Sequence, residues 1–365
     1  MIVFIIVISI YVLFIVWVLA GVINYPGLRG ITGDNKQKFS IIIPFKNEER
    51  FLSSLLKSLK RLNYNPQYYE VIFVDDHSID KSVRVIQELA DSNMQIILSS
   101  GNSSKKAALL TGIRRAEYPW IVTTDADCEV PENWLQVFDT IIAQNEVKMI
   151  LGPVKFKDKT GFLQQLQQVE FMALQALSLS GVYWKKPFLS NGANLCFDKN
   201  TFFELGAYEG NMQIMSGDDV FLLEKFQRKY PDQIYYAKTT RALVSTRYQE
   251  EIAGLIQQKI RWAGKIKHFH SFWAFVAGLL ILFTNILLIP ALIIGIMGDI
   301  NFLIFPVIKL LADLILLIYT RKFIPFRLNF LYFIVVFILY PFYYVYVSLL
   351  SIKGVYIWKD KKFKA

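Results

Sequence analysis

The sequence is short of the residues on which the commoner catalytic devices depend. Two cysteines, Cys128 and Cys196, stand among 365 residues, too few for a disulfide framework and suited to a reducing compartment. Histidine occurs only as His77, His268 and His270. No His-Glu-x-x-His run and no Gly-x-Ser-x-Gly elbow is present, which removes the usual zinc and serine routes to hydrolysis. Neither Gly-x-x-x-x-Gly-Lys-Ser/Thr nor Gly-x-Gly-x-x-Gly occurs, so the triphosphatase loop and the dinucleotide fingerprint are both missing. Any general base is therefore expected to be a carboxylate. Charge is scarce as well: charged residues make up 19%, while 54% are hydrophobic and 15% aromatic, against about 25% charged in ordinary soluble chains. A disordered or fibrous chain is excluded, and a wholly soluble one fits poorly.

What is there first is long apolar runs. Ile2 to Ile23, Ser271 to Gly298 and Leu328 to Ile352 carry no Asp, Glu, Lys or Arg, and each can cross the roughly 30 Å of hydrocarbon that takes about 20 helical residues. A fourth run, Ile300 to Thr320, is apolar except for Lys309 and Asp313, a pair expected to face a helix bundle rather than lipid. The first run lacks a basic leader and exceeds the 7–15 apolar residues of a typical signal peptide, so an anchor spanning 1–24 is expected. Arg29, Lys36 and Lys38 follow it and nothing basic precedes it, which puts the N-terminus outside and the middle of the chain in the cytoplasm. Three further spans would leave the basic tail, 353–365, outside. The same rule disfavours that, so one C-terminal segment within 271–352 could be re-entrant or interfacial. The net charge of +10 gathers beside these runs, which points to anionic headgroups. Interleaved basic and aromatic residues are missing from the middle of the chain, so no nucleic-acid polymer is expected as a partner, and no protein partner is legible.

Between the apolar runs, 39–247 alternates short β-branched runs with helical patterns, the rhythm of parallel strands and crossover helices. Strands are expected at Phe39 to Pro44, Tyr69 to Asp76, Met94 to Ser99 and Trp120 to Thr124. Helices are expected at Asn47 to Arg61, Ser82 to Ala90, Lys105 to Ala116 and Pro131 to Asn145. In such sheets ligands collect beyond the carboxyl ends of the strands, and Asp75-Asp76 and Asp125-Ala126-Asp127 lie at those ends. Two carboxylates two apart can share one hard cation while leaving places for phosphate oxygens, although an isolated Asp-x-Asp is as a rule a solvated turn or a helix cap. Gly217-Asp218-Asp219 opens a further helix, where the acids would also suit the helix dipole. From 248 to 270 an amphipathic, interfacial helix is expected. On it Gln258 and Arg261 share a face that could grip a diphosphate, and Trp262 offers a flat surface to a sugar ring.

Taken in order, Ile43-Pro44-Phe45-Lys46-Asn47-Glu48-Glu49, Val74-Asp75-Asp76-His77-Ser78-Ile79-Asp80, Lys105, Thr124-Asp125-Ala126-Asp127, Gly192-Ala193-Asn194, Gly217-Asp218-Asp219 and Gln258-Lys259-Ile260-Arg261-Trp262 resemble the processive-type, membrane-bound branch of family 2 glycosyltransferases over about 39–265. The resemblance implies an α/β GT-A fold, a Rossmann-like mixed sheet, with flanking transmembrane helices. It implies a UDP-type nucleotide-sugar donor, Mg²⁺ or Mn²⁺, and inversion at the anomeric carbon. Pro44, Glu48, Asp75, Asp76, Lys105, Asp125, Gln258 and Arg261 would then meet the donor. Asp127 with Asp125 would hold the metal, and Asp219 would be the base. Trp262, Asn194 and Asp218 would meet the acceptor. Asp218 stands where that family commonly has Glu, a mild departure.

The acceptor implied is membrane-associated, a lipid-linked sugar or glycolipid, and the chain would be an integral protein of a bacterial inner membrane. A processive polysaccharide synthase of the cellulose, chitin or poly-N-acetylglucosamine kind is the alternative; its channel generally needs more spans than follow the catalytic region here. A noncatalytic scaffold with a degenerate transferase fold would be expected to have lost acids, and Asp76, Asp127 and Asp219 are all present.

Overall fold

The chain forms two compact units, seen in a computed structural model that describes residues 1–28, 30–31, 36–100, 104–206, 208–214, 217–264, 271–353, 355–358 and 361–364. Residues 26–157 and 185–247 make one unit; 1–25, 158–184 and 248–365 make the other. Arg29, residues 265–270 of the expected interfacial helix with His268 and His270, and Lys359 and Asp360 of the basic tail lie outside the described residues.

In chain order the elements begin with α1 (Ile2–Asn24), β1 (Phe39–Phe45), α2 (Glu49–Leu59), β2 (Tyr69–Asp75), α3 (Ser82–Leu89), β3 (Met94–Leu98), α4 (Lys105–Arg115), β4 (Trp120–Thr123) and α5 (Trp134–Gln144). Next come β5 (Met149–Leu151), β6 (Val154–Phe156), α6 (Phe162–Tyr183), β7 (Leu195–Asp198), α7 (Lys199–Glu204), α8 (Asp218–Lys229), β8 (Ile234–Tyr236) and β9 (Val244–Thr246). The chain ends with α9 (Ile252–Gly264), α10 (Phe272–Ile296), α11 (Ile304–Arg321), α12 (Phe330–Lys353), β10 (Val355–Trp358) and β11 (Lys361–Lys364).

The first unit is organised by a seven-stranded sheet in the order β3-β2-β1-β4-β7-β5-β8. β1 shows why it is central: Phe-Ser-Ile-Ile-Ile-Pro-Phe has no polar alternation, and every residue but Pro44 is buried, as a strand covered on both faces requires. Against it α2 presents Leu52, Leu55, Leu56 and Leu59, all fully buried and spaced along one helical face. β1, β2, β3 and β4 pair in parallel, as the rhythm predicts. β7 does not, running antiparallel to both β4 and β5. The chain between β5 and β7 runs through β6 and α6, and β7 enters the sheet the other way. The result is the mixed sheet that the family resemblance implies. β6 and β9 pair in a small second sheet.

The second unit is helical. Among the described residues four segments, Ile2–Asn24, Phe272–Ile296, Ile300–Arg321 and Phe330–Ile352, are long and apolar enough to cross a membrane, close to the expected runs. A cluster of stacked indoles marks one level of this unit: Trp17 lies 5.6 Å from Trp184 and 5.8 Å from Trp273, ring centre to ring centre. Tryptophans at one height suit a membrane–water boundary. α6 was not expected here. Its Gln167 is fixed by Gln249, whose backbone N–H donates to Oε1 at 2.9 Å and whose carbonyl accepts from Nε2 at 2.9 Å. The contiguous 39–247 stretch read from sequence thus loses 158–184 to the helical unit.

Candidate active site

Strand order reverses at β1, with β2 and β3 on one side and β4, β7, β5 and β8 on the other. Loops leaving the carboxyl ends of β1 and β4 diverge there, and such a switch point is where open α/β sheets leave a crevice for ligands. Lys46, Asn47 and Glu48 leave β1; Thr124 to Asp127 leave β4.

The β1 loop is fastened to the loop after β2. Asn47 takes a positive φ of 55°, affordable because its side chain bonds locally: its Oδ1 accepts from the Ile79 N–H at 2.9 Å. The Asn47 N–H donates to Ser78 Oγ at 3.0 Å and the Glu48 N–H to Ser82 Oγ at 2.8 Å. Asp75 Oδ1 accepts from the Ser78 N–H at 2.9 Å. Asp76 is buried beside it, with Lys46 Nζ 3.8 Å from one carboxylate oxygen and His77 Nδ1 3.8 Å from the other. Pro44, Glu48, Asp75 and Asp76 therefore stand on neighbouring strand ends.

From this rim the acids continue across the switch point. The Asp127 carboxyl is pushed up to about 6 by burial and by the charges of Asp125 and Glu48, against the Cys128 thiol bond and the Lys105 charge. Cys128 Sγ donates to Asp127 Oδ1 at 3.6 Å. Lys105, the first residue of α4, places Nζ 2.6 Å from Asp125 Oδ1 and 3.7 Å from Asp218 Oδ2. Burial works against that ammonium, but the charges of Asp125 and Asp218, the Asp125 hydrogen bond and the charge of Asp219 outweigh it and hold its pKa above the usual lysine range.

Asp218 and Asp219 reach the cluster because α8 begins there. Gly217 precedes them at φ 83°, a left-handed turn that glycine takes without a Cβ penalty. Two acids in the first helical turn gain about 0.3–1 kcal/mol each from the dipole. Asp219 Oδ1 accepts from the Val220 N–H at 2.9 Å and Oδ2 from the Gly192 N–H at 3.1 Å. Gly192 lies close against the cluster: a Cβ there would lie 3.3 Å from Asp218 Oδ2, 3.6 Å from Asp219 Cβ and 3.7 Å from Lys105 Nζ. Asp125, Asp127, Asp218 and Asp219 thus gather around Lys105, with Glu48 acting on Asp127 beyond them, an excess of negative charge.

The donor set fits a divalent cation of the Mg²⁺ or Mn²⁺ kind. Among the described residues no three metal-ligating side chains form a ready-made cage. Asp125 and Asp127 supply two hard oxygens, and such ions are commonly held by one or two carboxylates with substrate phosphates completing the shell.

The remaining expected residues divide. Asn194 is fully buried: Nδ2 donates to the Pro153 and Ala242 carbonyls at 2.7 and 2.8 Å, and Oδ1 accepts from Trp134 Nε1 at 2.8 Å. Its amide is committed inside the protein, so it shapes the 191–194 turn, which carries the Gly192 N–H, rather than offering itself to an acceptor. Gln258, Arg261 and Trp262 lie on α9, in the helical unit. There the Trp262 ring packs under Lys259 Nζ at 4.3 Å and 6.5 Å from the Phe171 ring, and Lys259 pairs with Glu170 at 2.7 Å.

Sequence reasoning missed the supporting partners. Thr123 Oγ1 donates to the Gly192 carbonyl at 2.7 Å, holding the turn whose N–H meets Asp219. Lys46 beside Asp76 and Arg247 over the Phe51 ring, 3.9 Å from its centre, were also unread. Only Lys46 had a signal, its place inside the first motif.

Comparisons with known proteins bear on the family and the fold. Residues 40–204 match the model of glycosyl transferase family 2. An undecaprenyl-phosphate 4-deoxy-4-formamido-L-arabinose transferase of Proteus mirabilis (strain HI4320) is 34% identical over 104 residues, 27% of this chain and 32% of that protein. A poly-beta-1,6-N-acetyl-D-glucosamine synthase of Staphylococcus epidermidis is 23% identical over 64% of this chain and 56% of its own length. The matches thus span about a third to half of these relatives. In fold, the chain is similar to the mannosyltransferase PcManGT from Pyrobaculum calidifontis, solved with GDP-Man and Mn²⁺, at a TM-score of 0.54 and 18% identity over 71% of this chain and 69% of that one. On the fold, the acid cluster and the family match together, the chain carries a glycosyl transferase family 2 domain over residues 40–204.

Proposed function

We propose that the chain transfers a sugar, with inversion, from a UDP-type nucleotide donor to a hydroxyl of a membrane-associated acceptor such as a lipid-linked sugar or glycolipid. The observation that carries this reading is the joining of two carboxylate groups through Lys105: Asp125 on the β4 side and Asp218 on the α8 side both lie within 4 Å of its Nζ. That proximity supports donor-holding and proton-taking roles for groups around one lysine.

In this reading Glu48, Asp75 and Asp76 hold the base and ribose, with Pro44 ending the strand beneath them. Lys105 lies beside the diphosphate. Asp219 takes the proton of the acceptor hydroxyl as its oxygen attacks the anomeric carbon opposite the diphosphate, and the bond from that carbon to the diphosphate oxygen breaks. The Gly192 and Val220 N–H groups orient the Asp219 carboxylate, the service an orienting partner gives a general base. Asp218 stands toward the acceptor. A divalent cation held by Asp127 with Asp125 would supply positive charge against the departing diphosphate. By family resemblance Gln258 and Arg261 take the diphosphate and Trp262 the acceptor sugar. The four apolar helices support an acceptor drawn from the bilayer, and Lys36 and Lys38 after α1 support a cytoplasmic catalytic side.

Replacing Asp219→Asn is expected to lower sugar transfer by roughly 10²- to 10⁴-fold, the usual share of a general base, while UDP binding stays near that of the wild type. Transfer by the detergent-purified chain with Mn²⁺, scanned over UDP- and GDP-sugars, together with calorimetric UDP titration, reads both. An active Asp219→Asn variant overturns the assignment. A processive polysaccharide synthase is the second reading, favoured by the similarity to the poly-N-acetylglucosamine synthase over 64% of the chain. Product length on a radiolabelled donor separates one added sugar from many.

A further inference from the structure

Arg247 belongs to none of the motifs above, yet its neighbours tie it to the acid cluster from two sides. On one side, β9 ends at Thr246, whose carbonyl accepts from the Lys157 N–H at 2.9 Å and whose side chain bonds the Cys128 thiol. Cys128 is the residue that donates to Asp127. On the other side, the Arg247 guanidinium lies 3.9 Å from the centre of the Phe51 ring, and Phe51 sits in the first turn of α2, next to Glu48, whose charge acts on Asp127. Both routes end on the same carboxylate.

Three lysines at this end of the sheet have acid neighbours: Lys46 has Asp76, Lys105 has Asp125, and Lys157 has Glu129 at 2.6 Å. Among the described residues no carboxylate pairs with Arg247, and its Nε–H is buried without a hydrogen-bond partner. A buried, charged donor left unmade is costly. The Phe51 ring supports the guanidinium, and a planar fork of donors matches phosphate geometry better than any other side chain. Resting on the transferase reading above, we propose that Arg247 is an anion-binding residue of this site, its guanidinium taking phosphate oxygens of a substrate, with Phe51 as the positioning platform. Two substrates could present those oxygens: the donor's diphosphate and the phosphate of a lipid-linked acceptor.

The test uses the full-length chain in detergent with Mn²⁺, comparing wild type, Arg247→Gln, Arg247→Lys and Phe51→Leu by calorimetric titration with UDP, GDP and uridine. Transfer kinetics against a polyprenyl-phosphate-linked acceptor complete the set. If Arg247 meets the donor, Arg247→Gln weakens nucleoside diphosphate binding roughly 10- to 100-fold and leaves uridine binding unchanged. Arg247→Lys recovers part of the loss, and Phe51→Leu shows a smaller one. If the acceptor supplies the phosphate, nucleotide affinities stay level and the acceptor KM rises about tenfold in Arg247→Gln; either result supports the anion site. Unchanged nucleotide affinity together with unchanged acceptor KM overturns it while leaving the transferase reading intact. A uniform loss of all ligands in Arg247→Gln and Arg247→Lys alike also overturns it, since that marks a structural residue. A wild type that binds no nucleoside diphosphate overturns the donor reading and this proposal with it.

Discussion

A lysine meets carboxylate in each unit of the protein, and the two places differ in charge balance. In the helical unit Lys309 Nζ lies 2.6 Å from Asp313 Oδ2, and Tyr11 donates to Asp313 Oδ1 at 2.5 Å. Ring centres of Phe337 and Tyr11 lie 5.2 and 5.4 Å from the ammonium. One cation meets one anion, and both carboxylate oxygens are used. In the sheet unit Lys105 faces Asp125, Asp218 and Asp219, with Asp127 and Glu48 beyond. Its side chain keeps 27% of its exposure against 5% for Lys309. The neutral cluster is complete as it stands and joins α1 to α11. The acid-rich one is held short of neutrality, as a site must be if its ligand is to bring positive charge.

The largest effect is expected where the complete cluster is broken. Lys309→Met leaves Asp313 without its counter-charge, which should cost about 3–5 kcal/mol, read as thermal unfolding of the full chain in detergent. Lys309→Met with Asp313→Leu should recover most of that loss, because removing both partners leaves no orphaned charge. If the double variant is as unstable as the single one, the cluster does more than neutralise itself.

At the acid-rich cluster the sign should reverse. The Asp127 carboxyl is pushed up to about 6, so the folded chain prefers it protonated. The ionised group therefore costs stability: nothing below about pH 4, more as pH climbs, and on the order of 2–3 kcal/mol above pH 6. Asp127→Asn should thus raise the melting temperature at pH 7.5, leave it unchanged at pH 4, and abolish the Mn²⁺-dependent part of UDP binding. Unfolding scans at the two pH values check the first two outcomes, and titration with and without Mn²⁺ checks the third. A destabilised Asp127→Asn chain at pH 7.5 would mean that the carboxylate is structurally required, which erases the contrast with Lys309.

The two units were not equally legible in the sequence. Strands β1 to β4 and the helices between them announce themselves, because buried parallel strands are continuous apolar runs and each helix carries one apolar face; the boundaries fall within a few residues of the expected ones. The acids were legible for the same reason, each sitting just past a strand or at a helix start. β5 to β9 were not, since three or four residues are too few for a period to show. α6 escaped because Gln165, Gln167, Gln168 and Gln175 are buried in it among its apolar residues, and a glutamine reads as solvent-facing until its partner is seen. For Gln165 that partner is the Asn329 N–H, 164 residues away and 2.9 Å from its Oε1. Asn194 differs in the converse way: a polar residue in a motif suggests a ligand, but its amide is spent on Trp134, Pro153 and Ala242 inside the protein.

The 191–194 turn gives the smallest and sharpest change. Gly192→Ala adds one methyl 3.3 Å from Asp218 Oδ2, close enough that the neighbour must give by a few tenths of an ångström, while the Gly192 N–H still has to meet Asp219 Oδ2. Since a 1 Å misplacement can cost about 10²-fold, a shift of that size should lower kcat by roughly fivefold to tenfold. The crowding falls on the α8 side of Lys105, so UDP affinity with Mn²⁺ should stay level and the melting temperature should hardly move. A fall in affinity larger than the fall in kcat would put Gly192 with the donor instead. It would also show that the Asp125 and Asp218 sides of Lys105 respond as one charge field rather than as two groups with separate tasks.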